Sequence, residues 1–362
     1  MESTPPKLDE FEISIFGPGR GECIVVHLGD NQWCVVDSCI ARGDKDSVAV
    51  KYLKSFNNDA LGNVQLVVAS HWHDDHIGGM ASLFSQTPQA DFCCSMALQY
   101  SEFVTLISAA SQNIAGRSGV EEFRQILDEL DKRGVRSPIF AVENKPLFTR
   151  PIAGTSFPIT LESLSPSDPT IRLALSQIKG FLPTVNEPQR RIPNRTPNTT
   201  SVVIWIKAGP IRALLGADLE NTVQADQGWS AVLSCHQDTS PGHMIKIPHH
   251  ASMTSDNTDV WHQMLEANPL AVVTPFAGGR TRLPSDSDLQ RLLARTMHLY
   301  CTTMGSGKPP TRDRSVDRLM KQQTSKRRVV DGQPGHVRIR WSISEKPLKP
   351  QIETFSGAYH VK

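Results

Sequence analysis

The sequence HWHDDH at residues 71–76 decides the fold, and it directly follows the apolar run VQLVVA at 64–69. A short run that is apolar almost throughout predicts a strand buried on both faces. Histidines two residues apart point to different sides of a helix, but in the loop after a strand they can converge on one point. Imidazole and carboxylate groups are ligands for transition metals such as Zn(II), with Mn(II) as an alternative. The segment therefore offers one metal His71 and His73, and a second metal Asp75 and His76.

Length and composition are those of an ordinary globular protein. The chain has 362 residues, of which 39% are hydrophobic and 21% charged, with 38 basic and 37 acidic side chains. This composition excludes disorder of the whole chain, and the apolar runs are too short to span a membrane. The N-terminus lacks the basic and apolar regions of a secretion signal, so we predict a cytoplasmic protein. Seven cysteines without a CxxC pair predict free thiols rather than disulfides.

Strand and helix patterns alternate along the chain. Residues 11–37 contain three short apolar runs separated by the turn sequences GPGRG and GDNQ, which predicts an antiparallel meander. Asp44 is expected to cap a helix that runs to about Phe56. Later patterns predict a strand over 200–207 and a helix near 221–234. A set of strands followed by helices occurs twice along the chain. This order predicts an α/β sandwich of two sheets with helices outside.

The motif HxHxDH after a buried strand is typical of the metallo-β-lactamase superfamily, and this sequence resembles that superfamily over most of its length. The resemblance implies the α/β class with a metallo-β-lactamase-like αβ/βα four-layer sandwich. It implies a hydrolase domain over residues 1–343, with a helical elaboration at about 97–135, and a C-terminal tail at 344–362. It also implies two divalent metal ions as cofactors, which activate water for hydrolysis.

The resemblance extends to further residues in the same order along the chain. Asp37, at the end of WCVVD, matches an acidic residue that orients metal-bound histidines. Asp218, at the end of IRALLGAD, matches the aspartate that bridges both metals. The pair His249 and His250 in IPHHAS matches the last histidine motif; His250 is favoured because it precedes a small residue, and the sequence leaves the choice open. Implied metal ligands are thus His71, His73, Asp75, His76, Asp218 and one of His249 and His250, and implied catalytic residues are Asp37, Asp75 and Asp218.

Finer features resemble the hydrolase domain of competence DNA-uptake channel proteins. The segments GPGRGEC, NTTSVVIW and PHHAS carry this similarity. Asn198 stands nearest to the place where the superfamily has a third metal-binding histidine, which leaves only two histidines and the bridging Asp218 for the first metal. Arg280 and Arg282, in the loop FAGGRTRLPS, are expected to bind substrate together with Asn198, because guanidinium groups bind phosphate bidentately.

These features predict a metal-dependent phosphodiesterase or nuclease whose substrate is a phosphodiester, nucleic acid included. Ten Lys or Arg against three Asp between Lys308 and Arg340 predict a contact surface for a polyanion. Two alternatives stay open. One is an amide, ester or thioester hydrolase on the same metals, and the other is a non-enzymatic module that binds nucleic acid or a protein partner. The sequence indicates no membrane partner and identifies no protein partner.

Overall fold

The fold is taken from a computed structural model. The structure describes residues 4–17, 21–41, 43–56, 59–99, 119–135, 137–152, 157–179, 198–278, 281–303, 334–343 and 349–362. Among the helices formed by these residues, none has the length and apolar character that crossing a membrane requires.

The first sheet is built on the predicted meander. Three consecutive antiparallel strands are followed by three parallel strands on one side, and two late strands extend the other side. In sheet order the strands are β17 (Gln351–Phe355), β16 (Gly335–Ser342), β1 (Glu10–Gly17), β2 (Cys23–His27), β3 (Trp33–Val36), β4 (Val64–Ala69), β5 (Asp91–Ser95) and β6 (Ile139–Ala141).

The second sheet, like the first, contains both antiparallel and parallel strand pairs. Its antiparallel part comes first along the chain, and a parallel part follows it. In sheet order the strands are β18 (Tyr359–His360), β15 (Leu299–Cys301), β12 (Leu265–Val273), β11 (Gly242–Lys246), β10 (Ile211–Leu215), β9 (Ile204–Ala208), β8 (Pro158–Ser163) and β7 (Lys145–Pro151); a separate hairpin joins β13 (Phe276–Gly278) to β14 (Thr281–Leu283).

Helices cover the outer faces of the two sheets. They are α1 (Val48–Lys54), α2 (Asp74–Ile77), α3 (Met80–Ser85), α4 (Gly119–Lys132), α5 (Asp168–Lys179), α6 (Gly228–Cys235), α7 (Thr258–Gln263) and α8 (Asp286–Leu293). Buried residues of α1, α3 and α4 pack on the first sheet, and those of α6, α7 and α8 pack on the second.

A third core lies between the sheets and completes the four layers. In β3, Trp33 and Val35 pack towards the helices, whereas Cys34 and Val36 pack towards the second sheet. Because successive side chains of a strand point to opposite faces, both faces of β3 are buried. This arrangement confirms the predicted αβ/βα sandwich.

Several predicted boundaries differ from the structure. Helix α1 is capped by Ser47, whose Oγ accepts from the backbone N–H of Val50, and not by Asp44. Helix α6 begins at Gly228 because the preceding residues form a polar loop, in which Asn221 donates to the backbone of Thr254 and Asp256. Strand β9 begins at Ile204, after a short 3-10 turn at Asn198–Thr200. The cysteines of the described chain are free thiols, as predicted.

The C-terminal residues contribute to both sheets. Within 344–362, which the sequence suggests is a tail, β17 pairs with β16 and β18 pairs with β15. Of the predicted helical elaboration at 97–135, the structure describes α4, and residues 100–118 lie outside the described chain.

Candidate metal centre

The predicted ligands meet where carboxyl ends of strands from the two sheets come together. The loop after β4 carries residues 71–76, Asp218 follows β10, and the histidine pair follows β11. Two groups of ligand atoms form there, each with all members within 4.8 Å of one another, and they share Asp218. One group is His71, His73 and Asp218, and the other is Glu22, His76, Asp218 and His250.

Asp218 occupies the middle of this arrangement and is buried. Its Oδ1 lies 3.3 Å from Nε2 of His76. Its Oδ2 lies 3.8 Å from Nε2 of His71 and 4.0 Å from Nε2 of His250. Oδ1 therefore faces His76 of the second group, and Oδ2 lies between His71 of the first group and His250 of the second, so one carboxylate is within reach of both groups.

Hydrogen bonds hold the histidine rings in orientation. His76 donates from Nδ1 to Oδ2 of Asp37 at 2.7 Å, and His250 donates from Nδ1 to the carbonyl of Thr274 at 2.8 Å. Asp37 also accepts from the backbone N–H and the hydroxyl of Ser70, each at 2.7 Å. Because Nδ1 carries the proton in both rings, Nε2 keeps a lone pair for a metal. Asp37 thus has the orienting position that the sequence predicts.

Asp75 lies on the outer side of the second group. Its Oδ2 is 3.3 Å from Nε2 of His250 and 3.8 Å from Nε2 of His76. Its carbonyl accepts from the backbone N–H of Glu22 at 2.9 Å. The chain can approach so closely because residue 21 is glycine, with φ of +88°; a Cβ there would lie 2.6 Å from the carbonyl oxygen of Asp75.

A buried ion pair beneath the histidines was not predicted. Glu22, directly before β2, binds Nζ of Lys246 at the end of β11, and Thr274 donates to the same carboxylate oxygen at 2.7 Å. Both charged side chains are fully buried. The signal in the sequence is the single lysine in the otherwise apolar run MIKI at 244–247, because a buried lysine needs a carboxylate partner.

The residues present fit a cation. Oε1 of Glu22, Nε2 of His76 and Oδ1 of Asp218 are buried and have no hydrogen-bond partner within the described chain. Buried polar atoms without partners are costly, because they lose the water that would solvate them. Imidazole nitrogens and carboxylate oxygens that converge in this way are suitable ligands for divalent transition metals.

Electrostatics place Asp218, Asp75 and His71 in the protonation states that metal ligands need. Burial raises the pKa of Asp218, but His76 and His250 outweigh burial, and the pKa lies well below its ordinary value. Burial also raises the pKa of Asp75, but His76 and His250 together outweigh burial, and this pKa is lowered as well. Burial and the charge of His76 lower the pKa of His71 well below its usual range. The carboxylates are therefore ionised and His71 is neutral at neutral pH.

A polar group lines one side of the centre. His249 places Nδ1 3.0 Å from Oε1 of Glu220, and Thr254 donates to the same oxygen at 2.9 Å. The amide of Asn198 lies 3.4 Å from both Glu220 Oε1 and Nε2 of His249. Burial lowers the pKa of His249, but Glu220 and Asp218 raise it above its ordinary value overall. Asn198 is thus beside the centre, and Glu220 was not predicted.

Of the two arginines that are predicted to bind substrate, Arg280 and Arg282, the structure describes Arg282. Arg282 pairs with Ala277 in the β13–β14 hairpin, whereas the neighbouring Phe276 stacks on the ring of His250, with 5.2 Å between centroids. Since neighbouring residues of a strand alternate between faces, Arg282 lies on the hairpin face opposite to Phe276, and its side chain is exposed. Arg280 lies outside the described residues.

Two of the ten basic residues assigned to a polyanion surface require correction. Arg338 and Arg340 lie on β16, and their side chains are only 5% and 8% exposed. Arg338 binds Glu353, and Arg340 binds Glu12. Both guanidinium groups are therefore parts of structural ion pairs rather than of a contact surface. The remaining eight, between Lys308 and Arg328, lie outside the described chain.

The chain has no significant match among curated protein sequences. Among solved structures it is similar to the metallo-beta-lactamase fold protein YhfI from Bacillus subtilis, at 11% identity and a TM-score of 0.39, covering 80% of this chain and 95% of that one. It is also similar to a motif mutant of a metallo-beta-lactamase from Cronobacter sakazakii, at 11% identity and a TM-score of 0.32, covering 57% and 61% of the two chains.

A third similar structure is MEM-A1, a subclass B3 metallo-beta-lactamase from a soil metagenome library, at 10% identity and a TM-score of 0.31, covering 68% of this chain and 80% of that one. The family profile described as the Metallo-beta-lactamase superfamily matches residues 16–256. That range contains the strands that carry Asp37, the HWHDDH segment, Asp218 and the histidine pair. The chain therefore belongs to the metallo-beta-lactamase superfamily.

Proposed function

We propose that this protein is a metal-dependent hydrolase that cleaves phosphodiesters. The superfamily consists mostly of metal-dependent hydrolases. The observation that carries the proposal is the convergence of buried histidine and carboxylate atoms on the two oxygens of Asp218. Metal ions bound there would supply Lewis acidity and lower the pKa of bound water.

The chain's own residues have distinct tasks in this proposal. His71 and His73 would hold a first ion, and Asp75, His76 and His250 would hold a second. Asp218 would contribute to both ions, because its carboxylate lies between the histidines of the two groups. Asp37 keeps the ring of His76 in the orientation that presents Nε2 to the metal.

The charge of bound metal ions would favour an anionic substrate. Glu22, Asp37, Asp75, Asp218 and Glu220, set against Lys246, give the centre a net charge of −4 when the histidines are neutral. Two divalent ions would neutralise this charge and place positive charge locally at the substrate. A centre with a positive charge attracts a phosphodiester anion, whereas a neutral amide or thioester gains much less from it.

A substrate panel tests the proposed reaction. Protein loaded with Zn(II) or Mn(II) is assayed on a chromogenic phosphodiester, a lactam and a thioester. We expect turnover of the phosphodiester to exceed that of the other two by at least about tenfold. Asp218→Asn is the inactive reference and His262→Asn, an exposed substitution on α7, is the matched control. Preferential hydrolysis of the lactam or the thioester would contradict the phosphodiester assignment and support the alternative substrate class.

We propose nucleic acid as a polymeric substrate, on the strength of the basic segment 308–328. Each phosphate that a protein neutralises releases condensed counterions, so affinity falls with salt by a slope of about −0.7 to −0.9 per contact. Charge reversal at Arg312, Arg314, Lys326 and Arg328 is expected to weaken binding of long polynucleotides and leave the small phosphodiester unaffected. If neither substrate responds, the segment does not bind the polymer, and a small-molecule phosphodiesterase is supported instead.

A further inference from the structure

The two neighbouring histidines after β11 point into the centre from different sides. His249 and His250 both have left-handed backbone conformations, with φ of +45° and +53°. The backbone N–H of His249 donates to the carbonyl of Ala217 at 2.9 Å, which ties the turn to the residue before Asp218. The turn thereby brings both rings close to the Asp218 carboxylate, with Nε2 of His249 3.9 Å from Oδ2.

His249 shares the hydrogen-bonding pattern of the other histidines around Asp218. In His76 and His250, Nδ1 donates to a protein acceptor and Nε2 faces the centre. In His71, Nδ1 lies 3.0 Å from the hydroxyl of Ser70 and Nε2 faces Asp218. His249 repeats this pattern, because Glu220 binds its Nδ1 and leaves Nε2 towards Asp218. A carboxylate on the far nitrogen is the usual partner of a metal-ligating histidine.

The distances place His249 beside the same oxygen of Asp218 that faces His71. Oδ2 of Asp218 is 3.8 Å from Nε2 of His71 and 3.9 Å from Nε2 of His249. Two ligand atoms that bind one Zn(II) ion at about 2.0 to 2.2 Å cannot be more than about 4.4 Å apart. Both separations satisfy this limit, so an ion at Oδ2 of Asp218 is within reach of either histidine.

We propose that His249 is a ligand of the first metal, alongside His71, His73 and Asp218, while His250 serves the second metal. This proposal rests on the metal-dependent function proposed above. It gives the first ion three imidazole ligands although Asn198, near the centre, is no histidine. Glu220 is then a positioning residue, which holds the ring of His249 with Nε2 towards the ion. The sequence leaves open which of His249 and His250 is a ligand; in this proposal both are ligands, each of a different metal ion.

The test measures metal binding rather than activity. His249→Asn removes the imidazole, and asparagine tolerates the left-handed conformation at this position. Chelator-stripped wild-type protein is expected to take up two equivalents of Zn(II) or Co(II). The variant is expected to retain the second ion and to bind the first more weakly, by about 100-fold or more. His262→Asn, which removes an exposed imidazole from α7, is the matched control and is expected to behave as wild type.

A second variant keeps the test decisive if His249→Asn does not fold. Glu220→Gln leaves the ligand in place but weakens its partner, and the affinity of the first ion is expected to fall by about 10- to 100-fold. The visible absorption of bound Co(II) at the first site is expected to change in both variants, because it reports the ligand set.

The outcomes separate this proposal from the proposed function. Two equivalents bound by wild type, with weakened binding of one in both variants, supports the assignment of His249. Two equivalents bound with unchanged affinity and unchanged Co(II) absorption in the variants would overturn it, and His249 would then face the substrate. A wild-type protein that takes up no metal would overturn the metal-dependent function and this assignment with it.

Discussion

At the scale of single residues, Asp218 connects the two halves of the metal centre. One carboxylate faces His76 with one oxygen and His71 with the other. We predict that Asp218→Asn lowers phosphodiester turnover and metal affinity by more than about 100-fold, since loss of a partner behind a ligand alone costs about 10- to 100-fold. Turnover, metal content and far-UV circular dichroism are measured together. A folded variant with turnover near that of wild type would place the bridge on another residue.

His27 is predicted to make stability depend on pH. Its Nδ1 donates to the carbonyl of Glu10 at 2.7 Å, and its ring packs on Trp33. Burial lowers the pKa of His27 from its ordinary 6.5 to about 4. Because the unfolded chain then binds a proton more readily than the folded one, stability that is present above pH 6.5 is lost as the pH falls towards 4.

We predict that this loss between pH 7 and pH 5 is about 2 kcal/mol for His27. Urea unfolding in the presence of a chelator measures it, with His27→Gln as the comparison, because glutamine can still donate to the Glu10 carbonyl. The variant is expected to lose about 2 kcal/mol less than wild type over this range. Equal losses in the two proteins would mean that His27 is already protonated in the folded state.

Residues that are near one another in sequence were the most predictable part of the centre. The spacing in residues 71–76 predicts two groups of ligands, and the structure separates His71 and His73 from His76 accordingly. Glu22 and Lys246 were missed because a pairwise contact between distant strands has no spacing signature. Glu220 was missed for the same reason, since only the fold brings it to His249.

At the scale of elements, strands were predicted well and helix starts less well. The meander and the buried strand β4 were confirmed, because apolar periodicity defines strands with two buried faces. The start of α1 was wrong because several polar residues compete for the capping position, and Ser47 is the one whose hydroxyl reaches Val50. Helix α6 starts late because the loop before it holds Glu220 beside the centre.

Helix α8 offers a test of capping at the element scale. The hydroxyl of Ser285 accepts from the backbone N–H of Asp288, and Asp288 accepts from the backbone N–H of Ser285 at 2.9 Å. We predict that Ser285→Ala lowers the free energy of unfolding by about 1 kcal/mol without changing metal content. Gln290→Ala, on an exposed position of the same helix, is the control and is expected to change it by at most about 0.5 kcal/mol. Equal effects of the two substitutions would contradict a stabilising cap.

At the scale of the whole molecule, a buried ion pair joins the two sheets directly below the metal centre. Glu22 directly precedes a strand of the first sheet, and Lys246 ends a strand of the second. Burial raises the pKa of Glu22, but Lys246, His76 and His250 together outweigh burial and the pKa is lowered, so the carboxylate is ionised. Removal of one partner leaves an uncompensated charge in the interior.

We predict that Lys246→Met lowers the free energy of unfolding of the metal-free protein by about 3 to 5 kcal/mol. The double variant with Glu22→Gln is expected to recover most of that loss, because the remaining side chains carry no buried charge. Chemical unfolding of the single and double variants measures the coupling. A double variant no more stable than Lys246→Met alone would show that the pair does not hold the sheets together.

The four-layer architecture was predicted because the order of strands, helices and motifs is local information. The two strands formed by the C-terminal residues were not predicted. Strand β18 has only two residues, and β17 alternates weakly between apolar and polar side chains. The pairing of β18 depends on β15, which is distant in sequence, whereas β17 pairs with β16, the strand before it. Such long-range pairing leaves little trace in local patterns.

The measurement that tests the central claim most directly is a metal titration of chelator-stripped protein, followed by the rate of hydrolysis of a chromogenic phosphodiester. The account predicts negligible hydrolysis without metal and a rise that reaches its plateau at two equivalents of Zn(II) or Mn(II) per chain. A plateau at one equivalent would contradict the two-metal centre built around Asp218. Hydrolysis that is unaffected by metal, or none at any metal concentration, would contradict a metal-dependent phosphodiesterase.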